Sequence, residues 1–303
     1  MNQPIGVLIM AYGTPSTREG IEPYYTRIRH GHAPTPELLA DLTRRYDAIG
    51  GTSPLAARTA DQVSAIAARL EQRHPGRFDV RFGSKYEPPM LESVAESLRA
   101  DGRETVIGLA LAPHSSSMST DQYMSRAREA LGEQVDFRPI GAWWDAPGFL
   151  ELIARRVLDA LAQVPEVRRA TTEVLFSAHS LPERILAAGD TYPDQLRESA
   201  QRAAALAGLR AYDIAWQSAG RTADPWIGPD ILTVLRAKRA AGLTDVVSCP
   251  IGFVADHLEV LFDIDVEAQA VAHEVGLNLV RTASLNDDDD FIDVLCDVIV
   301  ARS

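Results

Sequence analysis

Four short apolar runs constrain this chain most, because each ends in the same way. Residues 5–11 (IGVLIMA) stop at Tyr12-Gly13-Thr14-Pro15, and residues 105–112 (TVIGLALA) stop at Pro113-His114-Ser115. Val174-Leu175-Phe176 run into Ser177-Ala178-His179-Ser180-Leu181-Pro182, and residues 244–249 run into Pro250-Ile251-Gly252. A continuous apolar run reads as a strand buried on both faces, as in a parallel sheet. Small polar residues, Gly and Pro at its end mark a loop. Further strands are predicted at 78–83, 135–140, 211–217 and 276–281. Helices are predicted at 21–30, 37–47, 55–73, 89–100, 119–131, 148–163, 193–207, 229–241, 256–272 and from 288, where Asp287–Asp290 supply acids to the first turn. Alternating strands and helices imply parallel sheets with right-handed crossovers. LIMAYGTP echoes LFSAHSLP, and LALAPHS sits like VVSCPIG, so two similar α/β domains with a cleft between them are expected, joined through residues 143–147.

Composition narrows the class. The net charge of −12 over 303 residues argues against general nucleic-acid binding. The two cysteines, Cys249 and Cys296, suit a reducing compartment and cannot supply the four thiolates of an iron–sulfur cluster. The N-terminus lacks a basic n-region, and no apolar run approaches the roughly 20 residues of a membrane span. A cytoplasmic protein is the expectation.

In open α/β sheets ligands lie beyond the carboxyl ends of the strands. His179 stands at such an end; a structural histidine there reads the same way. The second signal is GFVADHLEVLFDIDVE (252–267), which also begins at a strand end. On an α-helix Glu259, Asp263 and Glu267 would share one stripe, drifting by roughly 40° per step. Val260, Leu261, Ile264 and Val266 would take the opposite face. Like charges at this spacing repel. The stripe is either a solvated acidic face or a track for a divalent cation. Tyr12 ends the first strand as His179 ends the fifth. Tyr24-Tyr25, Arg27, Arg29 and Arg44-Arg45-Tyr46 place aromatic surface beside cations that suit carboxylates or phosphates, or ordinary surface arginines. His114 could line the cleft or serve as a hydrogen-bonding loop residue. AYGTPST is not a dinucleotide-binding fingerprint.

MAYGTP, RYDAIGGTSPL, LAPHSS, SAHSLPE, YPDQLRESA, WQSAGRTADPWIGPD and GFVADHLEVLFDIDVE together resemble ferrochelatase, most closely the soluble bacterial type acting on coproporphyrin III. The resemblance implies two Rossmann-like domains. The first spans 1–143, with the C-terminal helix 286–303 packing back on it, and holds the porphyrin. The second spans 144–285 and handles metal. It implies insertion of ferrous iron into coproporphyrin III to form coproheme in haem biosynthesis. His179 and Glu259 match the metal-binding catalytic pair. Asp263 and Glu267 match acids leading from the pair toward solvent, on a stretch that the family winds as a π-helix. Tyr12 matches an axial ligand to product iron. Tyr12, Arg29, Arg45, Tyr46, Ser53, Tyr123 and Trp226 match porphyrin-holding positions.

No cofactor is then required. Fe(II) is a substrate, the iron–sulfur cluster of some relatives is not expected, and a divalent cation such as Mg²⁺ could occupy the acidic track. A monomer is expected, with a transient downstream decarboxylating partner. The polar, basic YYTRIRHGHAPTP replaces the apolar lip of the animal enzymes and favours a four-propionate porphyrin over protoporphyrin IX. Another tetrapyrrole chelatase, or a tetrapyrrole or metal carrier without turnover, would share many of these features.

Overall fold

The computed structural model describes residues 3–220, 222 and 224–303. Its strands are β1 (Ile5–Ala11), β2 (Phe78–Ser84), β3 (Thr105–Ala110), β4 (Asp136–Ile140), β5 (Glu173–His179), β6 (Tyr212–Gln217), β7 (Asp245–Cys249) and β8 (Asn278–Arg281). Its longer helices are α1 (Ile21–Ile28), α2 (Pro36–Ala48), α3 (Leu55–Arg73), α4 (Leu91–Ala100), α5 (Thr120–Leu131) and α6 (Phe149–Ala162). Two single-turn helices, α7 (Glu166–Arg169) and α8 (Arg184–Ala187), precede α9 (Tyr192–Leu206) and α10 (Ile231–Ala240). One further helix changes winding along its length: α11 (Leu258–Val260), a π-helical stretch (Leu261–Ala268), then α12 (Gln269–Val275). The chain closes with α13 (Asp289–Val300).

Among the described residues the strands form two four-stranded sheets, ordered β2-β1-β3-β4 and β6-β5-β7-β8. All pairings are parallel. The apolar runs occupy the centres. Residues 6–10 of β1 and all of β7 are buried, whereas β6, on an edge, begins exposed. Leu8 and Met10 join a core with Val94 and Leu98 of α4 and Met124 and Ala127 of α5. Val7 and Ile9 are equally buried and, by strand alternation, point the other way, so both faces of β1 are covered. In the second sheet Leu175 and Val246 pack with Val234, Leu235, Ile264 and Val271.

The chain divides into two compact units. Unit 1 holds residues 1–143, 255–258 and 285–303; unit 2 holds 144–254 and 259–284. Their second strands are finished alike: Ser84 N–H donates to the Pro89 carbonyl at 2.8 Å, and Trp216 N–H to the Pro229 carbonyl at 3.0 Å. Helix starts carry the expected chemistry. Thr35 caps α2 with Pro36 beside it, and Asp230 caps α10. The acidic run at 287–290 begins α13, with Asp288 accepting from Asp290 N–H and Phe291 N–H. Trp143, expected in a linker, is instead 2% exposed, and its indole donates to the Ala110 carbonyl at 2.9 Å. A buried indole N–H needs such a partner, so this residue is core.

Candidate active site

In unit 2, β5 carries His179 to its carboxyl end, directly opposite Gln217 of β6. The imidazole Nδ1 contacts the Ser180 carbonyl. A carbonyl only accepts, so Nδ1 bears the hydrogen and Nε2 keeps its lone pair in the neutral ring. That Nε2 faces Glu259 Oε1 at 3.6 Å, with the two side chains 33% and 36% exposed. Tyr192 of α9 donates its hydroxyl to the His179 carbonyl at 3.0 Å. Burial, reinforced by the charges of Glu259 and Asp190, pushes the Tyr192 phenol up, so it remains a donor. Trp226 lies with its ring 6.4 Å from the imidazole. It is placed there because Ile227 N–H donates to the Leu181 carbonyl at 2.9 Å and Ser180 Oγ to the Ile227 carbonyl at 2.7 Å. Arg221 and Ala223 of the motif before Trp226 lie outside the described residues.

Glu259 follows the turn after β7. That turn presses on β5: a Cβ at Gly252 would meet the Ala178 Cβ at 2.5 Å, so only glycine fits. The Gln217 amide then links the two parts of the site. It donates from Nε2 to the Glu259 carbonyl at 3.0 Å and accepts at Oε1 from the Ser177 hydroxyl at 2.9 Å. Gln217 and Ser177 are both buried. Next to it Ser218, at φ 61°, occupies the left-handed region and donates its hydroxyl to Asp263. A non-glycine residue held there is uncommon, and such residues gather at functional sites.

Asp263 is only 5% exposed, so it does not belong to a solvated acidic face. The α-helical stripe also needs correction. The backbone N–H of Gln269 reaches back to the Ile264 carbonyl, five residues earlier, and Leu261–Ala268 is π-wound. With a bond reaching five residues back, a four-residue step falls short of a full turn rather than passing it. For the same reason Val266, expected on the apolar face, is 36% exposed. Glu267 is half-buried. Among the described residues no three His, Cys, Asp or Glu side chains gather closely enough to hold one metal ion. Glu259, Asp263 and Glu267 therefore do not form one three-carboxylate cluster among the described residues.

Unit 1 offers a different surface. Tyr12 directly follows β1 and is 41% exposed, tilted against Tyr86 with ring centroids 4.7 Å apart and edge-on to Tyr24 at 6.5 Å. The loop after β2 is stitched to it, with Tyr86 N–H donating to the Tyr12 carbonyl at 3.1 Å. Arg29 caps the end of α1 and lies 5.8 Å from the Tyr25 ring; its buried Nε has no hydrogen-bond partner among the described residues. Arg45 pairs with Asp41 at 3.2 Å. Tyr46 and Tyr123 are 2% and 6% exposed; the Tyr46 hydroxyl shares a hydrogen bond with Thr14 Oγ1 at 3.2 Å. Ser53 accepts from Leu55 N–H at 3.2 Å at the start of α3. His114 is enclosed, and burial lowers its pKa to about 3. His257 donates from Nδ1 to the Ala255 carbonyl at 2.9 Å.

Lys85 was not anticipated. It is 5% exposed, its ammonium lies 5.1 and 5.4 Å from the Tyr86 and Tyr123 rings, and it donates to Gln122 Oε1 at 2.6 Å. Burial, with Arg126 nearby, lowers its pKa to about 8. Gln217 and Ser218 also went unassigned. The strand-end rule that singled out His179 would have found all three.

The fold belongs to a recognisable class. Over 99% of this chain and 96% of theirs, the structure superposes on SirB from Bacillus subtilis with Fe³⁺ at a TM-score of 0.60 and 10% identity. The sirohydrochlorin chelatase SirB in complex with cobalt gives 0.58 over 99% and 95%. This is a chelatase fold. The profile of the family described as Ferrochelatase matches residues 4–303, and the chain belongs to that family. A protein named ferrochelatase from Herpetosiphon aurantiacus is 43% identical over the whole of both chains. A coproporphyrin III ferrochelatase from Halalkalibacterium halodurans is 44% identical over 97% of this chain and 96% of its own. Among the described residues no helix is long and apolar enough to cross a membrane.

Proposed function

We propose that this protein inserts Fe(II) into coproporphyrin III, releasing two protons and forming Fe-coproporphyrin. The observation that carries the reading is His179 Nε2 facing Glu259 Oε1 at 3.6 Å with Nδ1 tied to a backbone carbonyl. That arrangement presents a basic nitrogen and a carboxylate side by side. Insertion requires just these groups, because two pyrrole N–H protons must leave as iron sheds its water. Neutral His179 accepts a proton at Nε2, and Glu259 stabilises the resulting imidazolium. Asp263 and Glu267 exchange hydrated Fe(II) along the helix one acid at a time. Tyr12 caps the product iron as an oxygen ligand. The Arg29 Nε, which has no hydrogen-bond partner among the described residues, suits a propionate, since a buried donor gains most from a charged acceptor.

The test is anaerobic turnover of Fe(II) with coproporphyrin III, followed by absorbance, for the native protein and Glu259→Gln. Native turnover with a variant slowed about 100-fold or more supports the reading. Stoichiometric porphyrin binding with no metallation would make the protein a carrier, and faster turnover of protoporphyrin IX or of cobalt would change the substrate.

A further inference from the structure

We infer that Arg281 is a positioning residue for the iron-handling acids, acting as the clamp that keeps Leu261–Ala268 in its π-wound form. The local sequence LFDIDVEA contains neither Gly nor Pro, so nothing within the segment dictates the rare winding. It must be held by its surroundings. Two side chains two residues apart supply opposed holds. Asp263 is fixed by Ser218, which follows β6, and Asp265 is fixed by Arg281, which ends β8. β6 and β8 are the two outer strands of their sheet, separated by three strand spacings, or about 14 Å. The segment is therefore anchored toward both edges at once.

The Arg281 hold has the geometry of a rigid fork. Nε reaches Asp265 Oδ1 at 2.7 Å and Nη2 reaches Oδ2 at 2.9 Å. Nη1 donates to the Thr282 carbonyl at 3.1 Å and Ser284 Oγ at 3.2 Å, so the guanidinium is itself fixed by the chain after β8. Gln269 adds a neighbouring tie, its Nε2 donating to the Leu279 carbonyl at 2.9 Å. Without the fork the segment relaxes toward α-winding. Each four-residue step then passes a full turn, and Glu267 swings away from its place relative to Glu259. Neither Arg281 nor Asp265 belongs to the acids assigned to iron. The functional consequence rests on the proposed reading of those acids.

The experiment compares Arg281→Gln, Arg281→Lys, the isosteric Asp265→Asn and the double Arg281→Gln/Asp265→Asn in the full chain, with Glu267→Gln as a control. Arg281→Gln and Asp265→Asn should each raise the apparent KM for Fe(II) about tenfold and leave the KM for coproporphyrin III unchanged; the double variant should be no worse, since both remove one contact. Arg281→Lys should restore little, because an ammonium cannot reproduce the fork. Because the pair is partly exposed, melting temperatures should move by no more than a few degrees, which a general loss of packing would exceed. Crystal structures of Arg281→Gln and Asp265→Asn should show four-residue hydrogen bonding across 261–268. The inference is overturned if either single variant keeps the five-residue pattern and the native KM for Fe(II) while Glu267→Gln raises it. If Glu267→Gln changes nothing, the acids are not an iron track, and the clamp stands or falls on the winding alone. Asp265→Asn keeps the test decisive should the arginine variants fail to fold.

Discussion

Unit 1 and unit 2 order their strands identically, β2-β1-β3-β4 against β6-β5-β7-β8, yet they finish those strands with opposite chemistry. At the ends of β1 and β2 stand Tyr12, Tyr86 and the buried cation Lys85. At the ends of β5 and β6 stand His179, Gln217 and Ser218, hydrogen-bonded to or facing acids of the π-wound helix. The sheet decides where chemistry is done, and the last one or two residues of each strand decide which chemistry. On the proposed function, the first surface takes the flat, anionic ring system and the second handles the metal and protons. Damage to unit 2 should therefore slow turnover, and damage to unit 1 should weaken porphyrin binding.

The largest effect should come from His179→Ala. Removing a positioned acid–base group typically costs about 10²- to 10⁴-fold, and kcat should fall by that factor. The apparent KM for coproporphyrin III should stay near the native value. A variant with native kcat and a raised porphyrin KM would place His179 among the binding residues and dissolve the contrast between the units.

Histidines at strand ends sharpen the same comparison. His179 is a third exposed, while His114, after β3, is 2% exposed with its pKa lowered from 6.5 to about 3 by burial. The unfolded chain takes up a proton at this residue below pH 6.5, and the folded protein does not until about pH 3. The stability that neutral His114 allows is complete above pH 6.5 and drains away as pH falls toward 3. At pH 5 the loss should be roughly 2 kcal/mol. Urea midpoints at pH 7.5 and 5 measure it, and a neutral replacement, His114→Gln, should flatten the dependence. An unchanged slope in that variant would show that other groups carry the acid sensitivity.

Arg29→Ala probes the binding surface of unit 1. If Arg29 holds a propionate as proposed, losing that one charge-assisted contact should raise the KM for coproporphyrin III about tenfold with kcat unchanged. An unchanged KM would remove Arg29 from the porphyrin site.

Much of this contrast is legible in the chain itself. Buried central strands have no choice but continuous apolar sequence, so β1, β3, β5 and β7 announce themselves, and the residues after them follow. The α-helical stripe was a different matter. Spacing alone assigns Glu259, Asp263 and Glu267 to one face, but Leu261–Ala268 is π-wound, with Asp263 bonded to Ser218, 45 residues earlier, and Asp265 to Arg281, 16 residues later. Asp263 consequently sits buried where periodicity leaves solvation open. Gln217 is legible in position but not in role: the strand end marks it, yet only the fold brings the Ser177 hydroxyl and the Glu259 carbonyl to the two ends of its amide.

The smallest effect should come from the polar seam that fastens α13 onto α3 in unit 1. Arg69 pairs with Asp289 and Asp293, and Arg73 with Asp293 and Asp297 at 2.7 and 2.8 Å. Beneath these pairs Phe291, Leu295 and Ile299 are fully buried, and the Cys296 thiol contacts the Ile66 carbonyl at 3.8 Å. The apolar face holds the helix; the ladder, with Asp289 and Asp297 side chains 91% and 72% exposed, aligns it. Arg73→Ala should therefore cost less than about 1 kcal/mol in urea unfolding and less still in high salt. Turnover and both KM values should be unchanged, since no strand end is touched. A loss beyond about 2 kcal/mol would mean that the charges, not the buried side chains, close the first unit.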